Sequence, residues 1–225
     1  MKLETIELQT GPDPGASIIV LHGLGADGND FVPICEQLDL SAAGDVRYVF
    51  PHASVRPVTI NGGYRMRAWY DILGAQLERQ EDEAGLRASQ AAIEALIAAE
   101  RKRGIAASRI VLAGFSQGCA MVLLAGLRHA ERLAGLVGMS GYLPLAATTA
   151  AERHAANRDV PIFLAHGRYD QVVPLASAIA SRDLLSSLGY AIDWHEYAMQ
   201  HAVCAEEIDD LNRYLLRVLR GTVSP

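Results

Sequence analysis

Short runs of consecutive apolar residues, each followed by a longer stretch of helical period, constrain this chain more than any other feature. Ser17-Ile-Ile-Val-Leu21, Arg47-Tyr-Val-Phe50 (stopped by Pro51), Arg109-Ile-Val-Leu-Ala113, Leu133-Ala-Gly-Leu-Val137 and Pro161-Ile-Phe-Leu-Ala165 read as strands, and Ala191 to Tyr197 alternates like a final one. Helices are predicted between them over 82–103, 117–129, 175–188 and 203–219. The first carries Leu86, Ile93, Leu96 and Ile97 on one face. It begins with acids and ends with Lys/Arg, as the helix dipole favours. A strand that is apolar along its whole length is buried on both faces. The pattern therefore predicts an α/β fold with a mainly parallel central sheet and helices on both sides.

Composition fits that class. The chain has 225 residues, half of them apolar and a fifth charged, which excludes collagen-like and disordered readings. No linker divides it, so residues 1–225 are expected to form one domain. The net charge is −6 and the only basic cluster is Arg101-Lys102-Arg103, so no nucleic-acid partner is expected. The N-terminal MKLETIELQT lacks a signal-length apolar stretch, and no apolar run reaches membrane-spanning length. Three widely separated cysteines imply neither a disulfide framework nor a zinc site. The expectation is a cytoplasmic protein with no integral membrane segment.

Residues 54–80 break the rhythm. They hold Pro57, Gly62-Gly63, four arginines and Ala68-Trp-Tyr-Asp-Ile-Leu73. A long loop within a compact domain is more often functional than idle, so this one is expected to cover the site. Gly23-Leu-Gly-Ala-Asp-Gly28 matches a dinucleotide-binding pattern. Its context argues otherwise: the next strand ends in Phe50-Pro51-His52, where a ribose-binding acid should stand, and Pro33 interrupts the following segment. A tight turn or an oxyanion loop remains.

Gly114-Phe-Ser-Gln-Gly118 decides between them. It follows a predicted strand and opens a predicted helix, the context of a nucleophile elbow. The sharp turn strains the serine, and residues two positions away on either side must be small. A serine hydroxyl needs a base, and the base an orienting carboxylate, here in the chain order serine, acid, histidine. Asp170 follows a strand's carboxyl end, where reacting groups gather on an open sheet. Asp159 precedes its strand, Asp183 is mid-helix and Asp193 lies inside a strand. Of the histidines beyond Asp170, His195 is within a strand and His201 follows one. The reading is Ser116, Asp170 and His201, with His22 and His166 making local structural hydrogen bonds. The Gly23–Gly28 turn then lies at the same edge, so backbone N–H groups at Leu24 and Gln117 are the expected oxyanion donors.

These residues resemble the carboxylesterase and acyl-protein thioesterase (phospholipase/carboxylesterase) branch of the α/β-hydrolases over nearly the whole chain. The landmarks are Leu21 to Gly28, Ala68 to Ile72, Gln80 to Glu83, Gly114 to Gly118, Ser140 to Leu145, His166 to Asp170, and His201 with Cys204. The resemblance implies the same triad and the same oxyanion donors. It also implies ester or thioester substrates, among them acylated proteins or lysophospholipids, and a homodimer. Two positions depart from the pattern: Ala202 stands where serine is common, and Tyr142 where the eukaryotic thioesterases often have tryptophan.

An acyl-enzyme scheme of this kind needs no metal and no organic cofactor. Trp69, Ile72, Leu73, Tyr142 and Val172 are the candidates for an apolar acyl groove, with simple core packing as the competing reading. Cys119 reads as a small buried residue rather than a second nucleophile. The rival functions are an inactive hydrolase fold serving as an interaction module, which would show a broken triad, and an NAD-binding oxidoreductase.

Overall fold

In a computed structural model, which describes residues 3–74 and 80–220, seven strands form one sheet in the order β1-β3-β2-β6-β7-β8-β9. They are β1 (Thr5–Gln9), β2 (Ala16–Leu21), β3 (Val46–Pro51), β6 (Ile110–Phe115), β7 (Gly135–Met139), β8 (Ile162–Gly167) and β9 (Ile192–Tyr197). Only β1 runs antiparallel, against β3; every other pairing is parallel. Strands β2, β3 and β8 are buried at every residue, which is why they read as continuous apolar runs.

Helices cover both faces. On one side, α2 (Glu83–Lys102), α3 (Gln117–Arg128) and α5 (Leu175–Ser187) contribute Leu86, Ile93, Leu123 and Leu185 to a core with Ile19 and Leu112. On the other, α1 (Val32–Cys35) and α6 (Ala205–Leu219) pack Cys35, Leu211 and Tyr214 against Ile18, Phe50 and Phe163. A further helix, α4 (Ala146–Glu152), follows β7. Asp82 caps α2 by accepting the Gly85 N–H at 2.9 Å. Among the described residues no helix is long and apolar enough to cross a membrane.

The 54–80 segment is not a plain loop. It contains a hairpin, β4 (Val55–Val58) paired antiparallel with β5 (Tyr64–Arg67), followed by the buried residues Ala68, Trp69 and Tyr70. Its residues 75–79 lie outside the described residues. The segment is tied to the sheet edge: Gly25 N–H donates to the Arg67 carbonyl at 2.9 Å, and Trp69 N–H to the Gln117 side-chain oxygen at 3.0 Å.

Candidate active site

The turn from β6 into α3 is sterically forced. Ser116 sits at φ 57° and ψ −117°, a conformation that costs an L-residue on the order of 1–3 kcal/mol. A Cβ on Gly114 would collide with the Gly118 carbonyl and come 2.9 Å from Cys119 N. A Cβ on Gly118 would lie 2.6 Å from the Leu21 carbonyl carbon and 3.0 Å from His22 O. Both glycines are thus required by backbone, not by side chains. Ser116 N–H anchors the turn on Met139 O of β7 at 2.9 Å. The hydroxyl is delivered at the carboxyl edge of the sheet, beside the positive start of α3.

His201 and Asp170 arrive at the same edge from the turns after β9 and β8. His201 Nε2 lies 3.0 Å from Ser116 Oγ, and Nδ1 lies 2.6 Å from Asp170 Oδ2. An ionised carboxylate only accepts, so Nδ1 carries the hydrogen and Nε2 presents a lone pair to the serine. Asp170 Oδ1 takes the N–H groups of Val172 and Val173 at 2.8 and 2.9 Å. The Asp170 side chain is wholly buried and that of His201 is 17% exposed. The Phe115 ring packs against the imidazole, centroids 4.7 Å apart.

The other acids and histidines are occupied elsewhere. Asp159 pairs with Arg132 at the surface, Asp183 with Arg182, and Asp193 with Arg217 and His195. His195 stacks on Phe163, and His166 donates from Nε2 to Val173 O at 2.9 Å. Burial lowers the pKa of both His22 and His166, favouring neutral rings. Burial also pushes the Cys119 thiol up to about 12, which removes it as a nucleophile at neutral pH.

The glycine-rich turn lies against the elbow. A Cβ on Gly23 would sit 3.4 Å from Ser116 Cβ, Gly25 has φ +77°, and a Cβ on Gly28 would meet Phe50 O at 2.6 Å. Among the described residues, no acceptor takes the N–H of Leu24 or of Gln117.

The groove candidates divide. Ile72 is half-buried, Leu73 is exposed and Val172 is 64% exposed, so all three have surface to offer. Trp69 and Tyr142 do not. Trp69 is 1% exposed in the core, its indole N–H bonded to His22 O at 2.9 Å. Tyr142 is also buried, its hydroxyl 3.1 Å from that of Tyr70. Their aromatic bulk packs within the core. An additional cavity of about 370 Å³ is lined by Leu143, Leu145, Ala146, Thr148, Ser181 and Leu184. It joins the Ile72 segment through Glu81, which bridges to Ile72 and accepts the Leu145 N–H at 2.9 Å. The Gln117 side chain has an unforeseen part as well: besides accepting from Trp69 N–H, it donates to Tyr70 O at 3.0 Å.

Comparison with known proteins agrees with this architecture. Residues 4–219 match the phospholipase/carboxylesterase family model. The acyl-protein thioesterase 1 of Yarrowia lipolytica is 38% identical over 205 residues, 89% of this chain and 90% of that protein. Its Neurospora crassa counterpart is 40% identical over 209 residues, covering 89% and 85%. Among solved structures, Zea mays acyl-protein thioesterase 2 superposes with a TM-score of 0.84 at 27% identity, covering 96% of this chain and 99% of that one. The chain belongs to the phospholipase/carboxylesterase family and has the α/β-hydrolase fold of its relatives.

Proposed function

We propose that the chain is a serine hydrolase that cleaves carboxylic esters and thioesters of short to medium acyl chains through Ser116, His201 and Asp170. The observation that carries this reading is the hydrogen-bonded line from Asp170 Oδ2 through His201 to Ser116 Oγ, on a strained elbow beside two N–H groups without acceptors among the described residues. In the first step Ser116 Oγ attacks the acyl carbonyl as His201 Nε2 takes its proton. Asp170 holds the ring in that tautomer and stabilises the imidazolium. The N–H groups of Leu24 and Gln117 receive the charge that develops on the acyl oxygen. The tetrahedral intermediate collapses, the leaving alcohol or thiol takes the proton from His201, and the acyl group stays on Ser116. Water then attacks the acyl-enzyme with His201 again as base, releasing the carboxylic acid and restoring the serine.

Residues 1–225 act in this reading as one hydrolase domain, with the 54–80 segment beside the site. The acyl chain lies along Ile72, Leu73 and Val172. The relatives' names favour acylated proteins as substrates, and a lysophospholipid offers the same acyl ester chemistry. Hydrolysis rates over paired esters and thioesters of graded acyl length, with fluorophosphonate labelling to locate the nucleophile, test the proposal. Labelling at a residue other than Ser116 refutes it.

A further inference from the structure

The peptide joining Gly23 to Leu24 is held by its carbonyl end. A trans peptide is planar, its C=O and N–H pointing in opposite directions, and no cis peptide occurs among the described residues. Whatever fixes the Gly23 carbonyl therefore fixes where the Leu24 N–H points. The Gly23 oxygen lies 2.7 Å from His22 Nδ1 and accepts a longer bond from Ala26 N–H at 3.3 Å. A carbonyl only accepts, so Nδ1 carries the hydrogen. Across the ring, Nε2 takes the Ala53 N–H at 3.0 Å. An N–H only donates, so Nε2 is a bare lone pair. The two bonds leave one state for His22: neutral, with its proton on Nδ1. The ring is 1% exposed, and the Trp69 indole lies over it with centroids 5.3 Å apart. Gly23 in turn lies beside the nucleophile: a Cβ added there would sit 3.4 Å from Ser116 Cβ.

We propose that His22 is a positioning residue of the oxyanion site: its Nδ1–H holds the Gly23–Leu24 peptide so that the Leu24 N–H faces the acyl oxygen above Ser116. This rests on the reading of Leu24 N–H as an oxyanion donor. His22 itself touches no reacting atom. Without it the Gly23 carbonyl keeps only the longer Ala26 bond, and the peptide is free to turn its N–H away.

The test compares wild type with His22→Phe, which removes both ring nitrogens, and His22→Asn, whose carboxamide offers an N–H to Gly23 O and an oxygen to Ala53 N–H. The probes are an alkyl trifluoromethyl ketone, which forms an oxyanion on Ser116, and the alcohol of the same chain length, which does not. His22→Phe should lower kcat and ketone affinity by about 100-fold, as loss of one oxyanion donor does, and change alcohol affinity by less than about twofold. His22→Asn should recover at least about tenfold of the loss. Equal weakening of ketone and alcohol, or an Asn variant no better than Phe, would mean that the ring only fills space. The Leu24 amide proton separates the two readings. If it does not shift when the ketone binds wild type, the oxyanion assignment fails. If it shifts alike in wild type and His22→Phe, only the positioning role fails. Should His22→Phe not fold, nitrogen NMR of the wild-type ring decides, and a proton on Nε2 overturns the proposal.

Discussion

Asp170 gives one carboxylate oxygen to His201 and the other to the turn that holds it: Oδ2 lies 2.6 Å from His201 Nδ1, and Oδ1 accepts from Val172 and Val173 N–H. Asp170→Asn keeps this shape but not its chemistry. The Asn oxygen must stay with the two N–H donors, which turns the NH₂ group toward His201. Nδ1 then has to accept, so the proton moves to Nε2 and faces Ser116. The variant should fold normally and lose on the order of 10⁴ in kcat, because the wrong tautomer is favoured. His201→Ala should lose more. Steady-state kinetics with thermal unfolding as the control checks this, and near-normal turnover of Asp170→Asn would refute the orienting role.

In the proposed mechanism Ser116 carries the reactivity of the elbow, and its backbone carries the strain. Ser116→Ala should lower kcat by about 10⁴ to 10⁶ and abolish fluorophosphonate labelling with the fold intact. Ser116→Gly should be equally inactive yet more stable by about 1 kcal/mol, since glycine relieves the φ of 57°. Denaturant titration of the two variants side by side measures that difference. A Gly variant less stable than the Ala variant would show that the elbow stores no strain.

Gly118→Ala is the opposite experiment. Its Cβ would enter the space of the Leu21 and His22 backbone at the end of strand β2, which cannot yield like a side-chain tip. The expected cost is about 3 kcal/mol, with activity lost as the elbow is pushed from the oxyanion turn. Gly15→Ala, where a Cβ meets nothing within 4 Å, should cost far less and serves as the control. Similar losses at the two positions would remove the steric account.

The parts of this architecture that announce themselves locally were legible in the sequence. Strands β2, β3, β6 and β8 are buried runs, and the elbow combines a strand end, two obligatory glycines and a helix start within five residues. Strand β1 escaped because Thr5–Gln9 is a half-polar edge strand, and β4–β5 because Pro57 and three interspersed arginines hide a two-stranded hairpin. Helix α4 is an Ala/Thr-rich stretch without a clear apolar face. The groove lining was not legible for another reason. Whether Trp69 faces a substrate or the core depends on His22 and Gln117, some 47 residues away in sequence. The same separation hides the Gln117 clasp, which only the fold assembles.

Glu207 gives the molecule a pH dependence unrelated to the triad. Its side chain is buried near the start of α6, and neither carboxylate oxygen has a partner of good hydrogen-bonding geometry among the described residues. Burial pushes its pKa from 4.5 up to about 8, against the pull of the Cys204 backbone N–H. Below about pH 4.5 the folded and unfolded chains both keep the proton. Between that pH and about 8 the folded state holds a proton that the unfolded chain has released, so stability falls as pH rises. The full decline is on the order of 5 kcal/mol. Urea unfolding from pH 5 to 8 should show wild type losing stability relative to Glu207→Gln, which stays neutral throughout. Parallel curves would show that Glu207 is not a buried neutral acid.

In the proposed reading, substrate length is set by the exposed part of the segment after β5. Leu73 is 40% exposed, and its neighbour Ile72 is bridged to Glu81 at the edge of the Leu143–Leu184 cavity. An acyl chain lying there buries methylenes worth up to about 0.8 kcal/mol each, or roughly fourfold in kcat/KM where realised in the transition state. Activity should therefore climb from acetyl toward octanoyl esters until the apolar surface is used up. Leu73→Ala removes wall surface without touching the triad, so it should flatten the climb for longer chains and spare acetyl esters. Measuring kcat/KM for both proteins across the series distinguishes this from a structural effect. Equal losses at every length would mean that Leu73 supports the fold, and the groove would then have to be sought around Val172.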